Sequence, residues 1–133
     1  KFLRGLVMAE HQALSDEPVS AGGKNLGPTP YDLLLMALGS CTSMTLRMYA
    51  NRKKLDLRDI EVRLRHERVH ADDCNSCTDS DNRIERITRI LTLRGELCDS
   101  ERERVLEIAD RCPVHRTIES ERLILTVLDD NIA

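Results

Sequence analysis

Five cysteines and four histidines in 133 residues set the chemistry open to this chain. Cys41 lies inside a long apolar run, GPTPYDLLLMALGSCTSMTL at residues 27–46. Its neighbours Gly39, Ser40, Thr42 and Ser43 leave space and hydroxyl donors around a sulfur. Cys112 heads the segment CPVHRTIE, which puts His115 and Arg116 within one turn as donors or cations able to stabilise a thiolate. A thiolate is a nucleophile and a redox centre. A free cysteine is also among the most frequently buried residues, so plain packing remains open for each thiol.

The remaining thiols point to other chemistry. Cys74 and Cys77 have Cys-x-x-Cys spacing in HADDCNSC, with His70 four residues before the first. Two thiolates and an imidazole or carboxylate fall short of a tetrahedral metal site unless a neighbouring chain completes it. A polar loop without function is the competing reading, and a local disulfide a third. Cys98 follows Leu97 and is expected to pack. His11, His66 and His115 have no second ligand at a metal-binding spacing and read as half-buried polar residues.

Composition narrows the field. A net charge of -3, with 20 basic and 23 acidic residues, offers no basic footprint for nucleic acid. Phe2, Tyr31 and Tyr49 are too few aromatics for a base-stacking platform. No uninterrupted apolar window has the length of a membrane span, and the first residues lack the apolar stretch of a signal peptide. An odd cysteine count fits poorly with a fully paired disulfide framework. A cytoplasmic protein with one domain over residues 1–133 is expected.

The elements that must position these thiols follow from local patterns. Residues 1–14 suggest a strand or part of a hairpin, and residues 15–30 an irregular surface connection rich in Gly and Pro. Thr29, Pro30 and Asp32 form a helix start with capping-box spacing, so a long helix is expected from Pro30 to the cations near Lys54. It is apolar on nearly every face, which predicts a buried central helix covered in part by a second copy of the chain. Residues 58–66 alternate as a strand with Ile60, Val62 and Leu64 inward. Residues 86–95 form a second strand with Ile87, Leu91 and Leu93 on one face. Ser100 and Glu103 suggest the start of a helix carrying Val105, Ile108, Ala109 and Cys112 toward the core. Residues 122–128 read as a closing strand with Leu123, Leu125 and Val127 inward. This order gives an α+β fold with antiparallel strands packed on helices.

The long central-helix motif with Cys41, followed by Cys-Pro at Cys112, resembles the OsmC/Ohr family of osmotically inducible and organic hydroperoxide resistance proteins. The resemblance runs from about residue 15 to the end and rests on GPTPYDLLL, RMYA and CPVHRT. It implies an antiparallel sheet packed on a long central helix in an intertwined homodimer. It also implies a cofactor-independent reaction in which Cys41 attacks a hydroperoxide, Cys112 resolves the sulfenic acid as a disulfide, and a dithiol resets the pair. The apolar surroundings of both thiols suit an organic or lipid-like hydroperoxide. The alternative is a non-enzymatic dimeric module that binds a small ligand, or a metal through Cys74 and Cys77.

The chain departs from the family's peroxidases at the groups that activate the thiol. Those proteins place a glutamate ten residues before the first cysteine, where this chain has Tyr31 with Asp32 beside it. They draw the partner arginine from the segment before the helix, and residues 12–31 contain none, only Lys24 and the acidic pair Asp16 and Glu17. Arg116, Arg4 from a partner chain and Lys24 are the candidate cations.

Overall fold

The computed structural model describes residues 1–70 and 83–129. Strands β1 (Arg4–Met8) and β2 (His11–Ser15) form an antiparallel hairpin. A short 3-10 turn at Val19–Ala21 then leads to the long helix α1 (Pro30–Lys53). Strands β3 (Asp56–His70) and β4 (Arg83–Glu96) make a second antiparallel pair, followed by α2 (Asp99–Ala109) and α3 (Pro113–Glu119). The class is α+β, as the sequence order indicates.

Loop 16–28 is tied down by one residue. The Asp16 carboxylate is buried and accepts the backbone N–H groups of Glu17, Lys24 and Leu26 at 2.8–3.2 Å. Ser15 Oγ donates to the Pro28 carbonyl at 2.8 Å. The irregular connection is therefore an ordered, stapled loop. Helix α1 begins where its capping chemistry places it: Thr29 Oγ1 accepts from Asp32 N, and the Asp32 carboxylate accepts from Thr29 N.

The β3 alternation holds, whereas residues 87–93 of β4 are all half-buried. Ile60, Val62 and Leu64 are half-buried, while Glu61, Arg63 and Arg65 face solvent. A register shift between Leu57 and Asp59 lies against Gly95, whose φ is +139°. A Cβ at Gly95 would fall 1.8 Å from the Asp56 carbonyl oxygen, so no larger residue fits the bulge. Arg47 of α1 donates to the Leu57 and Arg58 carbonyls and pins the helix to this irregular end. The core gathers Leu46 of α1 with Val105, Ile108 and Ala109 of α2, flanked by Tyr49, Leu55, Ile60, Leu91 and Leu93.

Several expectations are corrected. By length and composition α1 could cross a membrane, which the sequence reading did not anticipate. Within the fold it is the helix that β3, α2 and α3 pack against. It is not buried all round: Leu38, Thr42, Leu46 and Ala50 are covered at four-residue spacing, whereas Met36, Met44 and Met48 are 58–72% exposed. Helix α2 is capped by Cys98 with Glu101, two residues earlier than the Ser100 and Glu103 pattern suggested. Cys98 is exposed rather than packed, because the cap position lies at the helix mouth. Cys112 is buried but does not belong to α2, which ends at Ala109; Pro113 opens α3 instead. Residues 121–129 form no strand. Leu123, Leu125 and Val127 are 76–85% exposed, because alternation supplies a two-faced segment whereas a strand needs a paired neighbour, and neither hairpin of the chain pairs with this one. The segment with Cys74 and Cys77 lies outside the described residues.

Asp16 carries a direct test. Its three backbone donors outweigh burial and hold its carboxyl below the usual value, so its contribution is complete above about pH 4 and fades as the pH falls through the lowered native value. Amide exchange at Lys24 and Leu26 should accelerate in that window, and Asp16→Asn should produce the same acceleration at neutral pH. Unchanged exchange in the variant would show that the staple does not hold the loop.

Candidate functional site

The segments that carry the two thiols pack against each other. Cys41 comes from the middle of α1, and Cys112 from the junction between α2 and α3. Both are free thiols, and each acts on the ionisation of the other. Cys41 is partly open to solvent, whereas Cys112 is fully buried.

The local chain geometry gives the two sulfurs different environments. Cys112 is the N-cap of α3, and its Sγ accepts the His115 N–H at 3.3 Å. The Val114 N–H also bears on both sulfurs. Burial, together with the neighbouring Cys112, raises Cys41 above the ordinary thiol value and outweighs the Val114 and Thr45 donors. Burial also works against ionisation of Cys112, but the His115 N–H, the Cys41 thiol, Thr42 and the Val114 N–H together lower it. The His115 N–H at the mouth of α3 thus favours ionisation of Cys112.

The group holding this junction together is one that the sequence reading did not select. Arg89, on the inward face of β4, has a side chain only 11% exposed. Its Nη1 donates to Thr42 Oγ1 at 3.0 Å, and its Nη2 donates to the Asp110 carboxylate at 2.8 Å and to His115 Nδ1 at 3.0 Å. A guanidinium has only donors, so His115 Nδ1 must accept. The hydrogen-bond pattern thus assigns the proton to His115 Nε2, which faces the Glu119 carboxylate at 2.5 Å. Thr42 is fully buried, with its hydroxyl donating to the Leu38 carbonyl at 2.7 Å. A signal was available: Arg89 falls between Ile87 and Leu91 on the apolar side of the alternation, and a charge there demands partners.

The other expected site residues are dispersed. Tyr31 stacks on His66 of β3, with ring centroids 4.7 Å apart. Ten helical residues, about 15 Å, separate it from Cys41. Asp32 is engaged in the α1 cap, and Glu17 accepts Asn25 N through its backbone carbonyl in the stapled loop. Arg116 lines a shallow outer depression with Glu119 and Ser120. Arg4 donates to the Lys1 and Leu3 carbonyls, and Lys24 gives its backbone N–H to Asp16. His115 is the supporting residue that reaches the thiol junction. An open cavity of about 630 Å³ shares Arg89 and His115 with this junction and is walled by Leu38, Ile87, Leu91 and Ile118.

The family model described as OsmC-like protein matches residues 22–126, a span that contains both thiols and Arg89. The chain belongs to the OsmC-like family. No curated protein matches the sequence. Among solved structures, the fold is similar to an OsmC-like protein from Mycoplasma pneumoniae, with TM-score 0.69 and 19% identity over 88% of this chain and 79% of that one. It is also similar to a putative osmotic stress induced and detoxification response protein from Psychrobacter arcticus, with TM-score 0.65 and 19% identity over 90% and 88% of the two chains. An organic hydroperoxide resistance protein from Legionella pneumophila has TM-score 0.59 and 16% identity over 89% and 88%. At these identities the likeness establishes the shared OsmC-like fold.

The packing of Thr42 yields a stability prediction. Thr42→Val removes the acceptor of a buried guanidinium N–H and should cost about 1–3 kcal/mol in urea denaturation of the reduced protein. Thr42→Ser keeps the oxygen and should lose clearly less. Equal losses in the two variants would assign the cost to the methyl group instead.

Proposed function

We propose that this OsmC-like protein is a cofactor-independent thiol peroxidase that reduces organic hydroperoxides, with Cys41 attacking and Cys112 resolving. The observation that carries the reading is the pairing of a partly open thiol with a buried, helix-capped one. Cys41 sulfur attacks the distal oxygen of the hydroperoxide: an S–O bond forms, the O–O bond breaks, and the thiol proton passes to the departing alkoxide to give an alcohol. The product is a sulfenic acid on Cys41. The Cys112 thiolate then attacks that sulfur, a disulfide forms, and hydroxide leaves to take up a proton as water. A small dithiol returns the pair to the reduced state by exchange and is itself oxidised to a disulfide. The lowered Cys112 thiol suits the resolving step, since the attacking group there is a thiolate. The apolar wall beside the junction favours an organic hydroperoxide over hydrogen peroxide.

In this reading the working unit is a homodimer. The side of α1 carrying Met36, Met44 and Met48 is apolar and uncovered, and Leu123, Ile124, Leu125, Val127 and Leu128 form an extended apolar run at 76–85% exposure. Apolar surface of that extent on one small chain calls for a cover. A second copy meets both needs, placing helix on helix and offering strand edges to residues 122–128.

Activity is measured as loss of cumene hydroperoxide in the presence of dithiothreitol. Wild type should consume it and Cys41→Ser should not. Cys112→Ser should retain the first step, giving a Cys41 sulfenic acid trappable by dimedone. Consumption by Cys41→Ser at the wild-type rate would refute the assignment. Sedimentation velocity tests the assembly: wild type should run as a dimer, and Met44→Asp combined with Met48→Asp should shift it toward monomer. A wild-type monomer at all accessible concentrations would remove the dimer from the proposal.

A further inference from the structure

The cation at the thiol junction comes from the core face of β4. Arg89 contacts each element that carries or adjoins a thiol. Its bond to Thr42 reaches α1 at the residue next to Cys41. Its bond to Asp110 holds the end of α2, and its bond to His115 holds the first turn of α3, where the His115 N–H donates to Cys112 Sγ.

The Thr42 hydroxyl is the route from Arg89 to the sulfur. Arg89 occupies a lone pair of Oγ1, which polarises the O–H and leaves its proton as the one the hydroxyl can direct. That proton now lies on the Leu38 carbonyl, and Thr42 is among the groups that favour ionisation of Cys112. Once Cys112 carries charge, rotation about one bond turns the proton from a neutral carbonyl to a thiolate, which makes the stronger, charge-assisted bond.

We propose that Arg89 is the positioning residue of the thiol pair: it sets the Thr42 hydroxyl and the first turn of α3 as donors to Cys112. The proposal rests on the Cys41 and Cys112 pair assigned above. Its test reads proton release without any peroxide, so the two can fail separately.

The experiment uses the full chain with Cys112 as its sole cysteine (Cys41→Ser, Cys74→Ser, Cys77→Ser and Cys98→Ser), titrated by the ultraviolet absorbance of the thiolate. The charged and titratable groups facing Cys112 are then Arg89 of β4, Asp110 at the end of α2, and His115 and Glu119 of α3. Arg89→Met should move the midpoint upward by about one unit, a tenfold loss of thiolate at a given pH below the midpoint. Arg89→Lys keeps the charge and should recover part of the shift. Thr42→Val should move the midpoint in the same direction, and adding Arg89→Met to it should have a smaller effect than in the parent. A folded Arg89→Met protein with an unmoved midpoint overturns the proposal, as does an Arg89→Lys midpoint displaced as far as that of Arg89→Met. Should Arg89→Met fail to fold by circular dichroism, Arg89→Gln and Thr42→Val decide: unmoved midpoints in both overturn it, and upward shifts in both support it.

Discussion

A buried guanidinium has to be satisfied by the elements around it, and in this chain the requirement organises the thiol junction. Arg89 enters from β4 on the side that otherwise carries Ile87, Leu91 and Leu93. Its donors go to α1, the end of α2 and the start of α3, so a single side chain orients the three segments that hold Cys41 and Cys112. Desolvating a charge is costly unless its hydrogen bonds are met, and this couples the sheet to the thiol pair more tightly than apolar contact would.

The same junction separates the electrostatics of two residues of the same type. Cys41 sits in the body of a helix, where every backbone N–H is committed to the helix ladder, so burial dominates and its thiol is held up. Cys112 sits at a helix mouth, where the first N–H groups have no intrahelical acceptor and turn to the sulfur. Pro113 makes this arrangement possible: it starts α3 without requiring an N–H partner and breaks the helical run from α2. The asymmetry of the pair is thus a property of backbone placement as much as of neighbouring side chains.

What the fold leaves uncovered matches its topology. Among the described residues β3, α2 and α3 pack on one side of α1 and leave the methionine side open. The apolar segment after α3 extends without a ladder. Both features fall in parts of the chain whose composition suits burial, so the described chain has more apolar surface than it can cover alone.

Features governed by neighbours within a few residues were legible in the sequence. The α1 cap follows from Thr29, Pro30 and Asp32, because capping bonds span three residues. The alternation of β3 follows from the two-residue period of side chains on a strand. The Cys41 and Cys112 motifs, with the family resemblance they carry, named two segments that the fold packs together. Tertiary structure decided the rest, since those features depend on contacts far apart in sequence. Asp16 became a loop staple through amides up to 10 residues away. Arg89 became the central cation through Thr42, 47 residues earlier, and His115, 26 residues later. Residues 122–128 lack a ladder because an alternating pattern states what a strand would bury, while only a neighbouring strand supplies the hydrogen bonds that make one.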